Sequence, residues 1–389
     1  MLYEIHMLKN YPAVNLNRDD SGTPKTCVFG GVTRGRVSSQ CLKRSWRRSD
    51  LFQELLEGEM LGIRTQRLPE QVADLLREQD VDEETVQNWI PVISGIANKE
   101  GKPGKDGVKT AQIVFYAPED IQAVADAVLE FIQVKKVKAP GPAKDKKEQD
   151  KERQELAKEL QKSIKDADIR PITLDIALFG RMVTSDAFKD VEAAMQVAHA
   201  VSTNRVVMES DYYTAMDDLL SGDTMETKGS SMIGDIDYNS ACYYLYASLD
   251  ADKLRENLEN VENADELVRR VIPALLRTMA LTNPTGKQNS FAGHVLPSAV
   301  LVECKEKKIP VSYVNAYTEP AYAAGKKDLV ADSIEKLVEE CDMITRNFGL
   351  PVEKRLWFCV DKYQQKCPEG AVKCAGFPAL VDAVADTLK

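Results

Sequence analysis

The sequence predicts an α+β fold. Residues 2–8 (LYEIHML) and 240–249 (SACYYLYASL) have the apolar and aromatic content, and the alternating pattern, of β-strands. Longer segments repeat apolar side chains at every third or fourth position, which is typical of amphipathic helices. Both kinds of segment alternate along the 389 residues without an internal repeat. The pattern indicates an α+β body interrupted by two insertions, one long and helical and one short and loop-like.

The strand at 2–8 is followed by a predicted loop and then by a helix. Glycine and proline residues interrupt residues 16–31 (LNRDDSGTPKTCVFGG), which favours a loop. Ser38 or Ser39 can cap the helix, which extends to Ser49. On a helical projection one side of this helix is apolar and carries Leu42 and Trp46. The opposite side is cationic and carries Lys43, Arg44, Arg47 and Arg48.

Residues 52–170 are predicted to form one helical insertion. It contains three amphipathic stretches, at 70–79, 84–97 and 119–134. Two breaks rich in Gly, Pro and Lys interrupt it, at 98–110 and 135–153. From residue 135 to residue 165 there are eleven basic and six acidic residues, a net charge of +5. Such a run is most often a solvated surface, and contact with nucleic acid is the alternative.

Strands and helices return in the C-terminal part of the chain. Residues 172–180 (ITLDIALFG) alternate apolar and polar side chains and predict a strand. Helical spacing then runs from Phe188 to Val201, and residues 203–238 have a mixed pattern. The remaining elements are predicted as helices at 264–281, 328–347 and from 377, strands at 299–304 and 355–360, and a loop at 282–294.

The charge of the chain is unevenly distributed. Its formal net charge of −10 argues against a polyanion-binding protein when taken alone. Residues 1–48, however, carry nine basic and three acidic residues (+6), so the other 341 carry −16. Because charges act over only about 8 Å at physiological salt, the basic stretch has to be judged separately.

The composition, 43% hydrophobic and 29% charged, is that of a globular domain rather than a disordered chain. We expect a cytoplasmic protein, since neither a leader peptide nor an 18-residue apolar run is found.

Most catalytic and metal-binding motifs are missing from the sequence. The eight cysteines form no CxxC pair, and we expect them to be reduced thiols. No GxxxxGKS/T, GxGxxG, GxSxG or HExxH motif occurs, and the three histidines are predicted to be structural. No cofactor is expected. Two acidic pairs remain, Asp19–Asp20 and Asp217–Asp218, of which the first could hold a divalent metal against a phosphate. Adjacent aspartates more often orient neighbouring cations or meet an adjoining subunit.

Residues 16–49 combine several known means of binding phosphate. They supply Arg and Lys side chains, glycines that allow a close backbone approach, and the N-terminal amides of the predicted helix. No code for reading base edges is evident, and the aromatic strand motif of RNA-recognition modules is absent from its usual form. The pattern therefore predicts binding to a nucleic-acid backbone without sequence preference.

A set of motifs in fixed order resembles a known family. The motifs are NLNRDD, FGG, RGRVSSQCLKRSWR, ALFGRMVTSD, AMQVAHAVST, DYYTAMDDL, GSSMIGDIDYNSACYY and TNPTGKQNSFA. They occur in this order in the CasC family, the repeated backbone subunit of the type I-E Cascade CRISPR surveillance complex. The resemblance spans nearly the whole chain. It implies an RNA-recognition-like (ferredoxin-like) palm, a helical fingers insertion and a thumb, with copies stacked in a helical filament along the guide RNA.

The resemblance also implies boundaries and roles for matching residues. The palm would comprise 1–51, 171–202 and 239–389, with the fingers at 52–170 and the thumb at 203–238. The palm residues that would grip the guide backbone are Arg18, Lys25, Arg36, Ser38, Gln40, Lys43, Arg44 and Arg47. Met182 would wedge beside the bases, and Tyr213 with Thr214 would pack against a displaced nucleotide. Fingers residues that could touch double-stranded target DNA, without a matching family motif, are Lys135, Lys136, Lys138, Lys144, Lys146 and Lys147.

Three functional hypotheses follow. The first is a non-catalytic subunit that polymerises on CRISPR RNA, contacts the other Cascade subunits and presents the guide for pairing with target DNA in antiviral defence. The second is a metal-dependent ribonuclease backbone subunit that uses Asp19 and Asp20. The third is a monomeric RNA-binding protein.

Overall fold

The computed structural model describes residues 1–56, 61–141, 146–166, 171–215, 232–364 and 366–388. The strands are β1 (Leu2–Val14), β2 (Thr26–Phe29), β3 (Val32–Val37), β4 (Ile63–Thr65), β5 (Val114–Tyr116), β6 (Met195–Val197), β7 (Ala200–Ser202), β8 (Glu209–Ala215), β9 (Met232–Asp250), β10 (Ala299–Lys305), β11 (Lys354–Cys359) and β12 (Ala371–Lys373). The helices are α1 (Ser39–Arg47), α2 (Asp50–Leu55), α3 (Leu68–Glu78), α4 (Glu83–Ser94), α5 (Pro118–Gln133), α6 (Lys146–Asp166), α7 (Leu174–Phe179), α8 (Ala251–Asn257), α9 (Ala264–Leu281), α10 (Gln288–Phe291), α11 (Leu329–Phe348) and α12 (Phe377–Ala385).

The chain divides into two compact units. The first consists of residues 1–57, 196–251 and 269–389, and the second of residues 58–195 and 252–268. The prediction of an α+β fold is confirmed by a mostly antiparallel sheet combined with helices. The division into palm, fingers and thumb stays a prediction. Among the described helices, none combines the length and the apolar character that crossing a bilayer requires.

The main sheet has the strand order β12-β11-β10-β1-β9-β7-β3-β2. β1 lies between β9 and β10 and pairs antiparallel with both, so that Tyr3 is opposite Leu249 on one side and Cys304 on the other. Only the β11–β12 pair among these neighbours is parallel. One face of the sheet packs against α11, with Tyr244 and Trp357 contributing to the same buried cluster as Leu337. Burying side chains of this size stabilises the fold by about 2–3 kcal/mol each.

A buried polar network crosses β1, β10 and β11 of the first unit. Lys305 forms ion pairs with Glu4 and, at 3.1 Å, with Glu303, and Arg355 donates to Glu303 at 2.6 Å. His6 lies beside this network, with its Nδ1 2.7 Å from the Tyr244 hydroxyl oxygen. Removal from water lowers the pKa of His6 to about 3, so this histidine is neutral in the folded protein.

The second unit is built mainly from helices. Apolar faces of α3, α4, α5 and α6 meet in one core, in which the Trp89 and Phe131 rings make an edge-to-face contact with their centroids 6.1 Å apart. α4 is capped by Asp82, whose side chain accepts from the Thr85 N–H at 2.9 Å. The predicted amphipathic stretches at 70–79, 84–97 and 119–134 therefore correspond to α3, α4 and α5.

Four predictions of secondary structure are wrong. The loop predicted at 282–294 contains the short helix α10. Residues 172–180 contain helix α7 rather than a strand, because a two-turn helix buried on all sides shows no helical stripe; its residues Leu174 to Leu178 are all buried. The segment from Phe188 to Val201 contains no α-helix and ends in β6 and β7. Part of the predicted loop at 16–31 is strand β2, which turns into β3 through Gly30 and Gly31 at φ of +61° and +76°. Positive φ at both positions of a two-residue hairpin favours glycine.

Candidate nucleic-acid interface

The loop that follows β1 is organised by Asp19. Its Oδ1 accepts from the Ser21 hydroxyl at 2.7 Å and from the Ser21 and Thr23 N–H groups at 2.9 and 3.1 Å. The hydrogen bond from the Ser21 hydroxyl and those from the backbone lower the pKa of Asp19. The Asp19 carboxylate therefore maintains the turn, and both Asp19 and Asp20 line a pocket described below.

Asn17 joins this loop to helix α1. Its Oδ1 accepts the Ser38 N–H at 2.9 Å, and its carbonyl oxygen accepts the Lys25 N–H at 2.8 Å. Ser38 is the N-cap of α1, since its hydroxyl accepts from the Cys41 N–H at 3.3 Å. Of the two predicted capping residues, Ser38 is thus the one that caps the helix.

Helix α1 separates its apolar and cationic sides as predicted. Leu42 and Trp46 are buried, whereas Gln40 and Arg44 are exposed. Lys43 and Arg47 are half-buried, and partial removal from water lowers the pKa of Lys43. The basic residues lie in the last turns of the helix, where they interact favourably with its dipole.

A pocket of about 560 Å³ lies between the Asp19 loop, α1 and the segment before α10. Its charged lining side chains are Arg18, Asp19, Asp20 and Arg44. Thr285 and Gly286 complete the wall. A Cβ atom at Gly286 would lie 2.3 Å from the Leu16 carbonyl oxygen, so only glycine allows this approach. The sequence motif TNPTGKQNSFA contains these two residues, but it gave no indication of their role.

A second group of basic side chains consists of Arg36 on β3, Lys25 just before β2 and His199 just before β7. The Arg36 Nη1 is 3.0 Å from the His199 Nδ1, and the Arg36 N–H donates to the Lys25 carbonyl oxygen at 2.8 Å. Partial removal from water, together with the positive charges of Arg36 and Lys25, lowers the pKa of His199. The sequence predicted a structural role for every histidine, and nothing local to His199 indicates that it lies beside a residue 163 positions away.

Two of the nine cations in residues 1–48 belong to the core instead of the surface. Arg34 is fully buried and donates to the carbonyl oxygens of Thr203 and Tyr317, both at 2.6 Å. Lys9 is also buried and donates to the Thr282 carbonyl oxygen at 2.9 Å. The charge count along the sequence therefore overstates the positive charge available to a ligand.

The predicted thumb residues lie on a hairpin of the first unit. Tyr213, on β8, is opposite Gly234 on β9, and Thr214 is opposite Ile233. A Cβ at Gly234 would lie 2.6 Å from the Tyr213 ring, which shows that the ring covers this glycine. Asp237, further along β9, accepts from the Thr23 hydroxyl at 2.9 Å and so links the hairpin to the Asp19 loop. The pair Asp217–Asp218 lies outside the described residues.

Met182 belongs to the second unit and has an unusual environment. Its side chain is 91% exposed, although the preceding Arg181 and the following Val183 are buried. Arg181 forms a buried ion pair with Asp120 at 2.5 Å, and the Val183 N–H donates to the Asp190 carboxylate at 2.6 Å. The residues on both sides are thus anchored, and the Met182 side chain is presented to solvent.

The lysines predicted to contact DNA have different environments. Lys135 forms an ion pair with Glu130 at 3.1 Å, and its ammonium lies 4.0 Å from the centre of the Phe131 ring. Lys136 and Lys138 are exposed between α5 and α6, and Lys147 is exposed in the first turn of α6. Lys144 and the side chain of Lys146 lie outside the described residues.

One protein family and two solved structures are similar to this chain over nearly its whole length. The model of one protein family, described as CT1975-like protein, matches residues 3–383. A solved chain described as "CRISPR RNA-guided surveillance complex, pre-nicking" is 24% identical, with a TM-score of 0.79 and coverage of 100% of both chains. A second, described as "CRISPR RNA-guided surveillance complex", is 19% identical, with a TM-score of 0.57 and the same coverage. These structures share the fold of this chain. No curated protein matches the sequence.

Proposed function

The chain belongs to the family of CT1975-like proteins, and on this basis we propose that it is a non-catalytic CRISPR RNA-binding subunit of a Cascade-type surveillance complex. Copies would assemble along the guide RNA, contact the other subunits of the complex and present the guide for pairing with target DNA in antiviral defence. The observation that carries the proposal is the single surface formed by the Asp19 loop and α1, on which Arg18, Gln40 and Arg44 are exposed.

This surface suits phosphate groups better than bases. Arg and Lys side chains and the N-terminus of α1 provide charge and N–H donors for a nucleic-acid backbone. A subunit of this kind needs only contacts to the backbone, because the guide supplies sequence specificity through base pairing. Binding that is indifferent to guide sequence is therefore expected, together with a strong dependence on salt.

The remaining predicted residues fit roles beside the bases. An almost fully exposed methionine between two anchored residues is suited to insert between stacked bases, and Met182 has this arrangement. Tyr213 and Thr214 lie on an exposed hairpin suited to fold over the strand. The antiparallel sheet with helices packed on it supports an RNA-recognition-like palm within a palm, fingers and thumb arrangement. Exposed lysines such as Lys136 and Lys138 would reach target DNA, and the complex would act in the cytoplasm.

Assembly on RNA tests this proposal. Purified protein is mixed with guide RNA in a series of samples. Each sample contains RNA of a single length, and the length increases along the series. The mass of the complexes is measured by native mass spectrometry. We expect a ladder in which the number of copies rises in steps with RNA length. Double-stranded DNA of matched length is the control and should give no ladder. A single copy bound whatever the RNA length would contradict the filament and favour a monomeric RNA-binding protein.

A further inference from the structure

We infer that Lys25, Arg36 and His199 form a phosphate site in which binding of the anion is coupled to protonation of His199. The inference rests on the proposed function, since the anion is taken to be a phosphodiester of the bound RNA. It adds a residue that the sequence motifs did not assign to binding, and it makes the affinity for RNA depend on pH.

The geometry of the site is fixed by the backbone. The Arg36 guanidinium donates through Nε to the Thr26 carbonyl oxygen at 3.1 Å and lies 3.0 Å from the His199 Nδ1 through Nη1. The Lys25 carbonyl oxygen accepts the Arg36 N–H at 2.8 Å, which keeps these two basic residues in adjacent strand positions. Arg36 is therefore held in one orientation before any ligand arrives.

The hydrogen bond between Arg36 and His199 defines the state of the imidazole. A guanidinium can only donate hydrogen bonds, so the His199 Nδ1 accepts and the proton of the neutral ring lies on Nε2. Arg36, Lys25 and the Nε2–H group then form a set of donors. Within the described part of the chain, none of these three side chains is paired with a carboxylate. Such a set is suited to a phosphate oxygen.

A bound phosphate changes the balance of charge at His199. In the free protein, the groups that act on the imidazole are Arg36 and Lys25, and both disfavour the imidazolium. The neighbouring Cys27 thiol stays neutral, because removal from water raises its pKa. A phosphate brings a negative charge into the site and favours the imidazolium. His199 then takes up one proton from solvent at Nδ1, and the Arg36 Nη1–H that it releases can donate to the phosphate.

The expected sign follows from linkage. A group that binds a proton more tightly in the complex than in the free protein strengthens binding as the pH falls. One unit of difference in pKa corresponds to about a tenfold change in affinity. We therefore expect RNA affinity to rise about threefold to sixfold between pH 7.5 and pH 5.5. Of the other two histidines, His6 is buried with a pKa of about 3, and His294 is exposed and serves as the matched control.

The test uses oligouridylate, whose bases do not titrate in this range, at constant ionic strength. Affinities of the wild type, His199→Gln and His294→Gln are measured by fluorescence anisotropy at pH 7.5, 6.5 and 5.5. Glutamine can still accept from Arg36 but cannot be protonated, so the affinity of His199→Gln, whatever its value at pH 7.5, should not rise at pH 5.5. His294→Gln should behave as the wild type.

Two results would overturn the inference: a wild-type affinity that does not rise on acidification, or a gain that survives in His199→Gln. Nuclear magnetic resonance of ¹³C-labelled histidine gives an independent readout. Adding oligouridylate should raise the titration midpoint of His199 by about one unit; equal His199 midpoints with and without RNA would contradict the coupling. Failure of the proposed function is distinguishable, because no variant would then bind RNA at any pH.

Discussion

The side chain of Asn17 accepts the backbone N–H of Ser38 at 2.9 Å. This hydrogen bond ties the loop that carries Arg18 to the N-terminus of the helix that carries Arg44. Ser38 in turn caps the helix, so one short chain of hydrogen bonds positions two sources of positive charge. The preorganisation reduces the entropy lost when a flexible, charged strand is bound.

Removing the cap should lower stability and RNA affinity together. Ser38→Ala leaves the N-terminal N–H groups of α1 without their side-chain acceptor, and we expect a loss of about 1 kcal/mol in the free energy of unfolding. Ser38 is buried at the N-terminus of α1, and Ser38→Asp is the matched variant, since it preserves the cap but adds a negative charge there. Urea unfolding should be close to the wild type for Ser38→Asp, whereas its RNA affinity should fall below that of Ser38→Ala. The opposite order of affinities would show that this surface does not face phosphate.

Arg34 and Arg48 should respond differently to substitution. Arg34→Met removes hydrogen bonds to five carbonyl oxygens, those of Phe29, Ser202, Thr203, Tyr317 and Thr318. We expect the free energy of unfolding to fall by about 3 kcal/mol or more. Arg48 is exposed, and Arg48→Ala should change it by less than about 0.5 kcal/mol. Equal effects in urea unfolding would contradict the structural role assigned to Arg34.

Sequence patterns predict local features of this fold but not contacts between distant segments. Helix α1 could be predicted because its cap and its apolar and cationic sides are local features of nine residues. Helix α7 could not, because burial on every side removes the helical pattern. The burial of Arg34 and the approach of His199 to Arg36 depend on strand pairing between distant segments. The residues of one strand do not indicate which distant strand it pairs with, so these contacts could not be predicted from the sequence.

Stability should fall on mild acidification because of His6. The folded protein keeps this residue neutral with a pKa of about 3, whereas the unfolded chain binds a proton below about pH 6.5. Protons therefore favour the unfolded state, and we expect a loss of about 1.5 kcal/mol between pH 6.5 and pH 5.0. His6→Phe preserves the ring contact with Tyr313 but cannot titrate, so its loss in urea unfolding should be smaller. A loss as large as that of the wild type would exclude His6 as the source.

The proposal of a non-catalytic subunit predicts that Asp19 and Asp20 do not cleave RNA. Oδ1 of the Asp19 carboxylate is engaged by Ser21 and Thr23. Among the described residues, no group of three or more His, Cys, Asp or Glu side chains is arranged to hold a metal ion. Assembled complex incubated with complementary RNA and Mg²⁺ should leave the RNA intact, as should Asp20→Ala. Periodic cuts by the wild type that disappear in Asp20→Ala and with a chelator would establish the ribonuclease instead.

The salt dependence of RNA binding tests the central proposal most directly. Lys43, Arg44 and Arg47 are replaced together by Ala, and affinity for a guide-length RNA is measured from 50 to 300 mM salt. The control replaces Lys151, Lys158 and Lys162, which are exposed on α6. If α1 binds the RNA backbone, its variant should bind all sequences more weakly, and its logarithmic salt slope should be shallower by about 2, since each phosphate contact on a single strand contributes about 0.7. A slope equal to that of the wild type and the control would contradict binding of the guide by this surface.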